Sequence, residues 1–509
     1  MSFELHRFPG GLVMPTFKAM SDQEESILHP LPEKLILPLQ QHIGIAAKPV
    51  VKQGDKVLKG QVIARADGYV SVPVHASTSG MIHDIGDYPV PHPSGINAPC
   101  IVIESDGQDE LFDIQPTHDY DSVDPKELQA VIRECGIIGL GGAGFPAHVK
   151  LSEGVENAVD TLIINGVECE PFITCDDRLL QEKADYVVAG TRMIRHALRA
   201  KRCVIAIEDD MPDAFSQLQK LVDDDIELVK VPTRYPAGGE KQLIQVITGK
   251  EVPSGGLAIH IGMVVHNVAT AAAVYRAVTR GEPVISRYVT VTGGVEKPRN
   301  LQVLLGTPVK DCIRTCNFDA DDDCRVILGG PMMGMHVTNP DVPVIKTTNC
   351  ILVQENQAPR PEMPCINCGN CVDVCPVRLM PQDLHRAAKQ DFFEQAQDLH
   401  IFDCIECGCC SYVCPSNIPL VHYFRYAKTG IAAEERRREG ADHSRQRFLE
   451  KNRRAEQGQE KNESNNAAQQ KNTSEQDRQS YIEAAVERTR AKRQKTKLMS
   501  ETGQQKSDD

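Results

Sequence analysis

From residue 124 the apolar positions recur at helical spacing and then give way to short β-branched runs. "DPKELQAVIREC" opens with Asp124 in an N-cap position, Pro125 at the first helical position and Glu127 at the capping-box position. "TLIINGV" and "RCVIAIE" are runs of Ile and Val, whereas "QLQKLVDD" and "VATAAAVYRAVTRG" repeat at helical period. This alternation predicts an α/β domain over residues 124–284. Upstream, within a region spanning 1–123, residues 30–105 are rich in Val, Ile, Gly and Pro in strand-like bursts. Residues 285–352 ("YVTVTGGVEKPRNLQVLLGTPV") return to strands and turns as a small β-rich domain. A cysteine-rich segment, 353–430, carries the helical link "RLMPQDLHRAAKQDFFEQAQDLHIFD". From 431 to 509 large apolar residues almost vanish, which predicts a charged, disordered tail with a transient helix at most over "SYIEAAVERTRAK".

A chain of 509 residues exceeds what one hydrophobic core supports, so a multidomain α/β protein is expected. A net charge of −14 argues against nucleic-acid binding through a basic face. The start "MSFELHRFPGGLVMP" lacks the cationic and apolar regions of a signal peptide. "GLAIHIGMVVHNVATAAAVY", the most apolar stretch, carries two His and an Asn and reads as a buried strand plus helix. The chain is therefore expected not to cross a membrane and to work in a reducing cytoplasm. There, clustered cysteines are metal ligands more often than disulfides.

Two stretches concentrate cysteines in this way. "CINCGNCVDVCP" sets Cys365, Cys368, Cys371 and Cys375 as C-x2-C-x2-C-x3-C-P, and "CIECGCCSYVCP" repeats the pattern with Cys404, Cys407, Cys410 and Cys414. Zinc also accepts paired thiols, but it does not need two four-cysteine runs that each end in proline. The spacing is that of two-cluster bacterial ferredoxins, in which the fourth cysteine of each run ligates the other cluster. The expected ligand sets are Cys365, Cys368, Cys371 and Cys414 for one [4Fe-4S] cluster, and Cys404, Cys407, Cys410 and Cys375 for the other. Cys409 is left as a bystander. The nine remaining cysteines (100, 135, 169, 175, 203, 312, 316, 324 and 350) read as small buried apolar residues.

"GIIGLGGAGFPAHVK" holds a literal G-x-G-x-x-G at Gly139, Gly141 and Gly144, but a capped helix precedes it where a dinucleotide fingerprint needs a strand. The glycines would let backbone amides approach a phosphate, with Lys150 as a counter-charge. "NGVECEPFITCDDR" follows a strand, "YPAGGEKQ" offers a second glycine loop, and "VHNVAT" opens a helix.

Together these four segments resemble the FMN- and NADH-binding flavoprotein subunit of respiratory complex I and its relatives. The loop G-x-G-G-A-G-F-P-x-x-x-K and the segments N-x-x-E-x-E-P, Y-x-x-G-x-E and N-V-x-T follow in the same order. The resemblance implies that Gly139, Gly141, Gly142, Ala143 and Lys150 line FMN. Asn165, Tyr235, Gly238, Asn267 and Thr270 would complete that pocket. Glu168, Glu170 and Glu240 would face NADH, the substrate, with Phe145 as a stacking surface. Two positions depart from the pattern, since Val167 and Gly239 stand where relatives carry acids. "VVKQGDKVLKGQVIARADGYVSVPVHASTSGMI" looks like the barrel-sandwich hybrid of lipoyl and biotinyl domains. Its tip, Ala66-Asp67-Gly68-Tyr69, has no lysine to modify, which suggests a docking module.

The whole layout is similar to the RnfC/RsxC component of the Rnf/Rsx ion-translocating electron transport complexes. That family implies a barrel-sandwich hybrid, a Rossmann-like FMN/NADH domain, a β-grasp (SLBB-like) domain and an α-helical two-cluster ferredoxin domain. It further implies a peripheral protein on the cytoplasmic face of the cell membrane, passing electrons from NADH through FMN and two [4Fe-4S] clusters. Its partners would be the membrane subunits and a ferredoxin-like iron–sulfur subunit. The rival readings are a soluble diaphorase subunit of a hydrogenase or formate dehydrogenase, and a non-enzymatic iron–sulfur relay.

Overall fold

The Ile- and Val-rich runs form a four-stranded parallel sheet in the order Glu227–Val231, Arg202–Glu208, Thr161–Gly166, Met263–Asn267. Helices cover both faces, so Leu162, Ile163, Ile164, Val204 and Ile205 are fully buried and the strands read as continuous apolar runs. The chain builds outward from Thr161–Gly166 to one edge and returns to add Met263–Asn267 on the other side. This order creates a switch point between those two strands, and ligand crevices form outside the carboxyl ends of strands at such points. The computed structural model describes residues 4–113, 120, 123–156, 158–318, 324–356, 358 and 360–501.

Helix Pro125–Glu134 is capped as the sequence predicts, with the Asp124 carboxylate accepting the Lys126 amide at 2.8 Å. Helices Cys175–Leu198 and Val268–Arg280 pack closely because position 190 is glycine; a Cβ there would run into the Ala271 carbonyl.

Upstream, Lys34–Pro38, Asn97–Ser105, Gly80–Pro89 and Lys56–Val57 make an antiparallel sheet, and Lys48–Pro49, Val62–Arg65 and Val74–His75 make a second. Leu37, Ile63, Ile82, Ile101 and Ile103 are buried in their shared core. The lysine-free tip docks within the chain: Arg133 donates to the Gly68 carbonyl at 2.7 Å, and His148 Nε2 lies 2.9 Å from the Tyr69 carbonyl.

Downstream, Ser286–Gly293 pairs parallel with Cys350–Glu355 and antiparallel with Arg299–Leu304. Cys324–Leu328, Met335–Val337 and helix Val309–Thr315 complete the β-grasp pattern. The N-terminal strand Ile27–Leu28 adds to the edge of this sheet, so the domain also draws on distant chain. Fully buried Lys346 joins three parts of the molecule, its Nζ donating to Pro73 O at 3.2 Å and Gly136 O at 2.7 Å.

The cysteine segment folds as short helices, Asn370–Asp373, Pro381–Lys389, Phe393–Asp398 and Cys409–Tyr412. The chain divides into two compact units, Met1–Lys428 and Thr429–Asp509. In the second the structure corrects the expected disorder: its described residues, 429–501, are helical throughout. From Glu435 to Met499 every side chain except Ala484 is at the exposed level, so the composition does prevent a packed core. Helicity follows from the abundance of Ala, Glu, Gln, Lys and Arg, helped by pairs such as Glu450–Arg454 at 3.8 Å.

Candidate functional site

Four helices begin around the switch point, and each brings a residue of its first turn or cap to one cavity of about 660 Å³. These are Lys150, Asp176, Glu240 and Asn267. Unpaired amides at helix N-termini favour anions, so the local field suits phosphate. Asn165 and Asn267 face one another in register across the two strands flanking the crevice.

The glycine loop forms one wall. It closes on itself, the Gly139 amide bonding the Phe145 carbonyl at 2.7 Å. Gly142 has φ +104°, and no atom lies within 4 Å of where its Cβ would stand; a Cβ on Gly141 would press on Asn267 at 3.1 Å. Bare backbone thus reaches the cavity, as close approach to a phosphate requires. Lys150 Nζ is 2.5 Å from Glu240 Oε2 and 3.2 Å from the Val265 carbonyl. The Asn165 amide donates to the Gly238 carbonyl at 2.8 Å and its oxygen accepts from the Val167 amide at 2.9 Å.

Of the residues expected around FMN and NADH, all line this cavity except Thr270. Thr270 is buried behind the loop, where its hydroxyl accepts the Leu140 amide at 2.9 Å and so props the wall from outside. The acids also differ from the simple expectation. Glu168 is buried and caps helix Cys175–Leu198, accepting the Asp176 and Asp177 amides at 3.0 and 3.3 Å. Glu170 accepts the Met332 and Met333 amides at 3.2 and 2.8 Å, tying the β-grasp domain to the cavity. Burial, with the neighbouring Asp176 charge second, raises the Glu168 carboxyl, and burial raises Glu170 to about 7.

Sequence reasoning missed several lining residues. Asp176 supplies a carboxylate where Val167 and Gly239 supply none, and it accepts from Asn267 Nδ2 at 2.6 Å. The β-grasp loop Gly329–Gly334 and Thr347 to Asn349 close the far side. The "GGPMMG" of the former was a visible glycine signal; nothing local marked the latter.

The two cysteine runs fold as copies of one another, 39 residues apart. Asn367 and Glu406 (φ 54° and 58°), Gly369 and Gly408 (83° and 78°), and Arg378 and Asn417 (54° and 52°) repeat the same left-handed positions. Cys365, Cys368, Cys371 and Cys414 line one small cavity, the crossed arrangement that the spacing predicts. Burial raises the Cys410 thiol, and the charges of Cys407, Cys404 and Cys375 act on it in the same direction, so these four lie near one another. Burial also raises the Cys404 and Cys375 thiols, whereas a hydrogen bond with Cys409 lowers Cys407; a cationic iron core would offset the charge of all four thiolates. Cys375, Cys407 and Cys410 are buried, whereas Cys365 and Cys368 are exposed. Cys409 is fully buried beside Tyr235 and Cys407. Of the nine other cysteines, seven are buried, and Cys169 and Cys324 are intermediate.

The two sites adjoin. Ile405, between two cysteines of the second run, lines the large cavity, and the Tyr235 hydroxyl donates to the Cys407 carbonyl at 2.6 Å.

Four family models match in order: an RnfC barrel sandwich hybrid domain over 6–108, a Nuo51 FMN-binding domain over 132–276, an SLBB domain over 288–336 and a 4Fe-4S dicluster domain over 364–418. A protein of Pseudomonas aeruginosa, named as the C component of an ion-translocating oxidoreductase complex, is 46% identical over 90% of this chain and 60% of its own length. One of Yersinia pestis bv. Antiqua with the same name is 45% identical over 88% of this chain and 73% of its own. The chain thus spans less than two thirds of the length of several such relatives. An NAD+-reducing [NiFe]-hydrogenase in the H2-reduced state aligns with a TM-score of 0.43 and 19% identity over 63% of both chains, too loose a likeness to inform the site.

Proposed function

Because the chain belongs to the RnfC family, the C components of ion-translocating oxidoreductase complexes, we propose that it oxidises NADH at FMN held in the large cavity and passes the electrons through two [4Fe-4S] clusters to partner subunits. The observation that carries this reading is the contact of the cavity with the second cysteine run through Ile405 and Tyr235. FMN supplies the conversion of a two-electron hydride donor into single electrons, and the clusters supply one-electron relay.

The residues fit those groups. Gly139, Gly141, Gly142, Ala143 and Lys150 would hold the phosphate end of FMN, with Asn165, Tyr235, Gly238 and Asn267 around the rest. Lys150 already pairs with Glu240, so its charge is oriented before a phosphate arrives. Glu168 and Glu170, both raised by burial, are partly neutral near pH 7, which spares an anionic dinucleotide from repulsion. Phe145 offers a ring for stacking. No side chain need act as nucleophile or general base.

No helix among the described residues is long and apolar enough to cross a membrane. By its family membership we place the chain peripherally, at the cytoplasmic face, with membrane subunits and a ferredoxin-like iron–sulfur subunit as partners that couple electron flow to ion movement.

The test is anaerobic purification, assay of FMN and iron, and NADH-dependent reduction of an artificial one-electron acceptor. Lys150→Met should weaken FMN binding by about tenfold or more, the scale of one charge-assisted hydrogen bond, while iron content stays unchanged. A protein that contains iron but neither binds FMN nor oxidises NADH would instead be a relay.

A further inference from the structure

Two ties between the cluster loops and the flavoprotein domain converge on one residue. Tyr235 is 3% exposed, lines the large cavity, and donates its hydroxyl to the Cys407 carbonyl at 2.6 Å. Its backbone forms the other tie, through the N-terminal segment. Leu12 N bonds Tyr235 O at 2.8 Å and Tyr235 N bonds Leu12 O at 2.9 Å. One residue earlier, Gly11 N bonds Val374 O at 3.0 Å, next to Cys375. Gly10 has φ +58°, and a Cβ there would stand 2.6 Å from the Cys375 carbonyl, so only glycine lets the strap lie this close. Arg234, beside Tyr235, also donates to the Gly10 carbonyl.

Cys407 and Cys375 lie 32 residues apart in the chain yet belong to the same crossed thiol set. A strap from the far N-terminus and one phenol therefore grip both sides of a single cluster site. The other set (Cys365, Cys368, Cys371 and Cys414) lines its own small cavity and has two exposed thiols.

We propose that Tyr235 and the strap Gly10 to Leu12 are positioning elements that hold the cluster of Cys375, Cys404, Cys407 and Cys410 against the cavity wall, making it the first to be reduced. The inference rests on the reading of the cavity as the FMN site. Each crossing takes one electron from the reduced cavity cofactor and adds one to the cluster; no bond of Tyr235 breaks, and its proton stays on the hydroxyl. Electron transfer falls steeply with distance, so a bonded path of one side chain and one peptide sets the rate. The positive end of the O–H dipole, aimed at the cluster loop, also favours the added electron, because hydrogen bonding around a cluster tunes its potential.

The experiment uses the full chain with its cofactors. In Tyr235→Phe the ring stays and one hydrogen bond goes. Redox titration with a chemical reductant, followed by electron paramagnetic resonance, should show one cluster at lower potential and the other unmoved. In Gly10→Ala the added methyl meets the Cys375 and Val374 backbone and pushes the strap away, so NADH should bleach the flavin at the native rate while cluster reduction slows several-fold. Both potentials unmoved or equally shifted in Tyr235→Phe, or cluster reduction at the native rate in Gly10→Ala, overturns the proposal. Loss of iron in either variant also overturns it, because the residue would then be only a structural prop. The potential measurement needs no NADH. A native protein that fails to bleach with NADH therefore sinks the functional reading and leaves this test standing.

Discussion

Glu170 shows how a single side chain at this site couples chemistry to stability. It is buried, accepts two amides from the β-grasp loop, and its carboxyl is lifted by burial from 4.5 to about 7. A carboxyl raised on folding contributes stability that is complete below pH 4.5 and lost as pH climbs through about 7, because the folded state then holds a proton that the unfolded chain has released. Glu170→Gln keeps an acceptor oxygen and cannot ionise. Thermal melts of the cofactor-free protein should therefore lose less stability from pH 5 to 8 in this variant, while the other carboxyls raised by burial, Glu168, Asp176, Asp177 and Glu208, keep their share of the slope. An unchanged slope would place the titration elsewhere. At this scale the sequence was informative where chemistry sits in a local pattern. The glycine loop, Asn165, Glu240 and the cysteine spacing could all be read directly. Asp176 and the Tyr235–Cys407 bond could not, because the second spans 172 residues and neither has a local signature.

At the scale of elements, the parallel strands were legible because strands buried on both faces must be apolar throughout. The helix Pro125–Glu134 was legible from its cap. The close packing of Cys175–Leu198 on Val268–Arg280 was not, since it depends on which face of each helix meets the other. Gly190→Ala should cost about 1–3 kcal/mol, as overpacking does, and lower the melting temperature with FMN and iron still bound. No change would mean that the two helices can move apart freely. The tail marks where composition predicts the wrong backbone for a sound reason. Scarcity of large apolar residues forbids a core, yet it does not forbid a helix whose side chains from Glu435 onward are nearly all solvated.

At the scale of the whole molecule, contacts between domains were the least legible feature, because each joins residues far apart in sequence. Lys346 links the β-grasp domain to Pro73 of the barrel-sandwich region and Gly136 of the flavoprotein domain. Burial lowers its amine from 10.5 to about 7, so between those values the unfolded chain holds a proton that the folded chain does not, and stability rises with pH. Lys346→Met should abolish that rise between pH 7 and 10, read from melting temperatures; a persistent rise would assign it to other groups. The proposed function needs the domains to work together, the cavity passing electrons to the cysteine segment. Its most direct test is an anaerobic titration of the purified chain with NADH, followed by visible absorption and electron paramagnetic resonance. Bleaching of flavin followed by the signal of a reduced [4Fe-4S] cluster is the predicted result. Flavin that bleaches while no cluster signal ever appears, or iron that is present without any NADH-dependent change, would contradict it.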